Sequence, residues 1–247
     1  MCGASLPARA PHQSAPPAVS RLSFPNANNV RSLAAWLWLI DLGTAKRVLD
    51  ASDDSSGELA AALAQHFDEV HAVRADALQL DALRGSNERQ GWSIASLVAG
   101  SAGTLQQASG TFDCIVVHDV LARRNLNDRD FLAELSQYHR LLRVDGWFAM
   151  AAFTPSEIGS DNLPAGTLPK RRAHRLLSRA GFRDLRFLWV ENSLDRPLSL
   201  IPDTLSARTA YESYDAMRGS STFIRRMAAL AGLGSVLYPS YFLLARR

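Results

Sequence analysis

The chain has 247 residues, 47% hydrophobic and 21% charged, which is enough for one substantial core plus an appended segment and unlike a fibrous or low-complexity protein. Its formal charge of +3 is a mild excess that does not argue for nucleic acid, because a phosphate-binding footprint needs clustered cations. Cys2 and Cys114 are the only cysteines, which excludes a disulfide framework or a zinc cluster and fits a reducing, cytoplasmic setting.

No apolar run approaches the roughly 18 residues of a membrane span, and the start lacks a basic segment leading into an apolar core, so a soluble protein is expected. Residues 1–25 hold Pro7, Pro11, Pro16, Pro17 and Pro25 among Ala and Ser and are predicted to be a disordered arm. Residues 26–247 then read as one domain. Val30, Leu33, Trp36, Leu37 and Ile40 recur at helical spacing before Gly43, predicting a helix over 30–42 whose Trp36 and Trp38 pack onto a sheet or line a ligand mouth.

Val48 to Ala51 is a short apolar run and predicts a strand; Gly57 to His66 follows as a helix with Leu59, Leu63 and Phe67 on one face. Strands are expected again at 69–73, 92–98, 112–117 and 147–153, with helices at 76–83 and 131–142 between them and a turn at Val144-Asp145-Gly146. Such alternation predicts an α/β fold with a parallel sheet and right-handed crossovers. A basic helix over 168–180, a strand over 185–190 and a last strand over 241–245 complete the chain. The segment between those two strands, at about 194–236, is too long for a hairpin loop and reads as a small insertion, helical from Thr204 onward.

Arg47-Val48-Leu49-Asp50, Phe112-Asp113-Cys114-Ile115-Val116, Leu141-Leu142-Arg143-Val144-Asp145-Gly146-Trp147 and Arg179-Ala180-Gly181-Phe182 stand in an order and spacing that resembles the class I S-adenosylmethionine-dependent methyltransferases. The resemblance spans roughly Val30 to Val190 plus the final strand. It implies a Rossmann-like, seven-stranded, mostly parallel sheet with an antiparallel last strand and helices on both faces. It also implies a cofactor, S-adenosylmethionine, held around Asp50, Ala51, Ser52, Asp54, Ser56, Gly57, Arg74 and Ser101.

Several of those positions depart from the family pattern. A glycine-rich loop follows the first strand in the family because the cofactor lies against the backbone, where a Cβ intrudes. Here the glycine positions fall on Ser52, Asp54 and Ser56, with Gly57 one place late. The family's ribose-gripping carboxylate falls on Arg74, with Asp76 two residues on, and the acidic residue near the adenine falls on Ser101. Arginine offers only donors, so it cannot accept from two ribose hydroxyls. Ser55 and Glu58 have the spacing of a capping box, which competes with ligand binding for the same helix start. Asp53 and Asp54, lacking a third ligand, read as a solvated turn ahead of a metal site.

His118 and Asp119 follow the fourth strand at its carboxyl end and are the candidate catalytic pair, His118 taking a proton from a substrate atom as a methyl group arrives. The alternative is a histidine that closes a hydrogen bond at a strand end; His71 reads as structural. Lys170, Arg171, Arg172, Arg175, Arg179 and Arg183 form a basic run explained by a solvated helix face, unless the fold brings Arg225-Arg226 or Arg246-Arg247 alongside. Two functions are therefore expected from different classes. One is a methyltransferase with an atypical cofactor site acting on a small-molecule or carrier-bound acceptor. The other is a catalytically inactive homologue that serves as a binding or regulatory protein partner, with an anion at Arg74 as one ligand.

Overall fold

Short apolar runs bounded by polar or glycine residues become strands because they are buried on both faces, and the amphipathic stretches between them become crossover helices. The computed structural model describes residues 35–41, 43, 45–52, 57–74, 77–90, 94–99, 109–118, 127–153, 168–192, 197–216 and 240–247. The strands are β1 (Arg47–Asp50), β2 (Glu69–Arg74), β3 (Ile94–Ala99), β4 (Phe112–Val117), β5 (Leu142–Phe153), β6 (Arg183–Asn192), β7 (Pro197–Pro202) and β8 (Ser240–Arg246). They form one sheet in the order β3-β2-β1-β4-β5-β8-β6-β7. Neighbours from β3 to β5 pair in parallel, and β8 runs antiparallel to both β5 and β6. The sheet therefore has the expected seven strands and one more, β7, antiparallel on the outer edge of β6. Its end residues are Pro197 and Pro202, which a sheet accepts only at an edge, and which mask it as a loop in the sequence.

The helices are α1 (Glu58–Leu63), α2 (Ala77–Gln90), α3 (Asp128–Leu141), α4 (Lys170–Ala180) and α5 (Leu205–Ala216), with a 3₁₀ turn at Ala35–Leu39. Only that 3₁₀ turn represents the helix expected over 30–42 among the described residues; Trp36 is buried there, as a sheet-packing residue should be. Residues 1–25 and much of the insertion lie outside the described residues. α3 and α4 cover one face of the sheet, on a core of Leu49, Ile115, Phe131, Leu135, Phe148, Leu176, Phe187 and Leu243. The 3₁₀ turn, α1 and Leu83 of α2 cover the other, on Val48, Val70, Cys114, Val116, Ala149 and Phe242.

The turn expected at Val144-Asp145-Gly146 is a bulge inside β5, with Phe112 paired to Leu142 and Cys114 to Trp147. Asp145 takes φ 60° there, and a Cβ on Gly146 would stand 2.9 Å from Arg143 O, so the chain must be bare at that point. Among the described residues no helix is long and apolar enough to cross a membrane.

Candidate functional site

The strand order reverses direction at β1, with β2 on one side and β4 on the other. In open α/β sheets this switch point opens the ligand crevice at the carboxyl ends of the strands. Asp50 ends β1, Arg74 ends β2 and His118 follows β4, so the topology collects these three expected site residues at one end of the sheet.

Asp50 and Arg74 are both shut away from solvent, with side chains 0% exposed, and Arg74 Nη2 donates to Asp50 Oδ2 at 2.7 Å. The parallel register sets Asp50 beside Ala72, so Arg74, two residues on, presents its side chain to the same face. Arg74 Nη1 donates to Val73 O at 3.0 Å and to Asp50 O at 3.4 Å. Asp50 Oδ1 accepts from Ser52 N at 3.0 Å, which turns the chain sharply out of β1. Ala51 N still donates to Val116 O at 2.9 Å, so the loop leaves β1 held to β4. Ser52 Oγ then accepts from His118 N at 2.7 Å, joining the loops after β1 and β4 across the switch point.

His118 thus closes a hydrogen bond at its strand end through its backbone. Its ring is buried, 6.4 Å from the ring of Phe242, and Nε2 has no hydrogen-bond partner among the described residues. Cys114 lies on the same face of β4, four residues back, but burial, with Asp113 adding, pushes its thiol far up and leaves it inert as a nucleophile. Asp119, Asp54, Ser56 and Ser101 lie outside the described residues, as do Asp53, Ser55 and Asp76.

Gly57 is the N-cap of α1 at φ 75°, a left-handed conformation that glycine adopts without steric cost. Glu58 is the first helical residue, and Ser55, the other half of the expected capping box, lies outside the described residues. The guanidinium at which an anion is expected is buried and paired with the Asp50 carboxylate.

These residues do not fit S-adenosylmethionine in the family's manner. The end of β2 offers an inward-turned donor where a ribose needs an acceptor, and each Asp50 oxygen already accepts a hydrogen bond inside the protein. Among the described residues no group of three or more His, Cys, Asp and Glu is placed to hold a metal.

The basic run is cross-braced. Arg172 Nε and Arg175 Nη2 each donate to Asp128 at 2.7 Å, and the two guanidiniums hold that carboxyl below the usual range. Arg183 Nη2 donates to Arg247 O at 2.9 Å, so the fold does bring the chain end alongside the run, as a structural clamp. His71 stands edge-on to Phe112 at 5.2 Å and 3.5 Å from Glu69 Oε2, consistent with a structural role.

A family model described as a methyltransferase domain matches residues 54–146. No curated protein matches. Among solved structures, the [4+2]-cyclase SpnF superposes with a TM-score of 0.56 at 17% identity, over 89% of this chain and 80% of its own. A SAM-dependent methyltransferase from Aquifex aeolicus gives 0.56 at 12% identity, over 88% and 90%. Phosphoethanolamine N-methyltransferase 2 of Haemonchus contortus, solved with S-adenosyl-L-methionine, gives 0.57 at 15%, over 89% of this chain and 52% of that one. The chain has the class I S-adenosylmethionine-dependent methyltransferase fold, and the resemblance in its motifs is borne out.

Sequence reasoning located Asp50, Ser52, Arg74 and His118 but missed that they bond to one another. Opposite charges at the ends of two strands that the fold makes adjacent and parallel are the signal for the Asp50–Arg74 pair. Nothing comparable announces the Ser52–His118 bond.

Proposed function

We propose that this methyltransferase-fold protein does not transfer methyl groups and serves as a binding or regulatory partner subunit. One observation carries the reading: the Arg74 guanidinium, at the end of β2, is buried on the Asp50 carboxylate at 2.7 Å. A ligand that displaced it would leave two charges to be solvated anew, at several kcal/mol per ion. The fold permits the reading, since a solved neighbour is described as a [4+2]-cyclase. Residues 26–247 act in it as one domain carrying the insertion at about 194–236, in the reducing cytoplasm that suits a free buried Cys114. Isothermal calorimetry with S-adenosylmethionine and its demethylated product tests it. The expectation is no heat at millimolar ligand; saturable binding by either compound overturns it.

A second reading, favoured by a different observation, is an active methyltransferase for a small or carrier-bound acceptor. His118 Nε2 is buried at the carboxyl end of β4 with no hydrogen-bond partner among the described residues, which suits a group awaiting a substrate proton. In this reading the cofactor supplies the methyl group, Ser52 holds His118 through its backbone N–H, and Phe242 sets the ring. Transfer of labelled methyl from S-adenosylmethionine to an acceptor, lost in His118→Ala, would establish it; absence of cofactor binding removes it.

A further inference from the structure

β7 pairs with β6 only from Leu188 to Asn192, and Phe187 O is closed by Asp203 N at 2.8 Å, so among the described residues no strand pairs with the first half of β6 on that edge. Beside this stretch lies a cavity of about 560 Å³, within the roughly 300–1,000 Å³ that accommodates small organic ligands. Successive strand side chains point to opposite faces, so the cavity's two walls differ in chemistry. On one side are Leu188 and Leu244 of the layer beneath the 3₁₀ turn, with Leu39, a leucine left 41% exposed. On the other are Lys170, His174 and Asp203 around the Phe187 ring, His174 stacked on it at 6.3 Å and 16° and Lys170 Nζ 5.2 Å from its centre.

Asp203 is the one carboxylate lining this cavity among the described residues, and it is fully engaged. It accepts from Trp189 Nε1 at 2.8 Å, pairs with Lys170, and lies 3.8 Å from Arg208 Nε. Two cations thus share one carboxylate at a partly buried position. Burial, together with Arg208 and Arg171 nearby, holds the Lys170 pKa below its ordinary value, the direction expected where positive charge is under-compensated.

We propose that the cavity beside β6 binds an amphipathic organic anion, with its acid group at Lys170 and its apolar body against Leu39, Leu188 and Leu244. Both parts are needed, since a bare inorganic anion leaves the exposed Leu39 side chain in water and a neutral apolar molecule leaves the excess charge unpaired. An added peptide strand suits the edge poorly: Arg183, Asp184 and Arg186 are exposed there, and Asp184 at φ 51° breaks the extended run.

The test is calorimetry and hydrogen exchange on the full chain with decanoate below its micelle concentration, using decanol and inorganic phosphate as controls. Decanoate should bind saturably and slow amide exchange at Leu185–Leu188. Both controls, and decanoate on Lys170→Gln or Leu39→Ser, should bind roughly tenfold more weakly or worse, the scale of one lost charge-assisted hydrogen bond or one apolar contact. Absence of saturable decanoate binding overturns the proposal. So does equal affinity for decanol or in both variants. Unchanged exchange at Leu185–Leu188 in the unaltered protein also overturns it, whatever the variants do.

Discussion

Replacing Arg74 by methionine keeps most of the apolar stem and removes the guanidinium, so Asp50 loses its 2.7 Å partner while remaining 0% exposed. Its carboxylate then keeps only Ser52 N, and an uncompensated buried charge of this kind costs about 3–5 kcal/mol. At roughly 2–4 °C per kcal/mol for a chain of this size, the melting temperature should fall by about 6–20 °C. Asp50→Asn alone strands the guanidinium in the same way and should cost a similar amount. The double variant Asp50→Asn/Arg74→Met has neither charge to solvate, so its loss should be smaller than the sum by about 2 kcal/mol or more. Urea denaturation of the four proteins, followed by far-ultraviolet circular dichroism, measures the cycle. Single-variant losses that add to within about 0.5 kcal/mol would refute the reasoning, because residues that do not act on each other are additive on that scale.

Ser52→Ala leaves His118 N without its acceptor in a buried position and should cost about 1–3 kcal/mol in the same assay. Asp128 has its carboxyl pKa lowered by Arg172 and then Arg175. Its contribution to stability is therefore present above the ordinary carboxylate pKa and lost as pH falls through the lowered value. Asp128→Asn should flatten that part of the acid limb in a pH series of thermal melts, and an unchanged limb would contradict the α3–α4 clamp. Cys114 is 0% exposed with its thiol pushed up by burial, so in a Cys2→Ser background a thiol reagent at mildly alkaline pH should label it only at the rate of global unfolding. Rapid labelling under native conditions would show β4 to be open.

The sequence by itself determined the architecture. Runs such as Phe112–Val117 are too apolar to be anything but a doubly buried strand, and the face of Phe131, Leu135 and Tyr138 could serve only as a sheet-covering helix. It also located the candidate site, because strand ends at a switch point are fixed by topology and topology follows from element order. It could not show β7, whose prolines read as loop until β6 offers an edge, nor the bulge at Asp145, which resembles a turn until the pairing with β4 runs through it. Only the tertiary structure decided what the site residues do. Asp50 and Arg74 are 24 positions apart in sequence, and each alone reads as a ligand contact. The parallel register of β1 and β2 sets them on one face, and in a dry interior two opposite charges at hydrogen-bonding distance attract each other strongly.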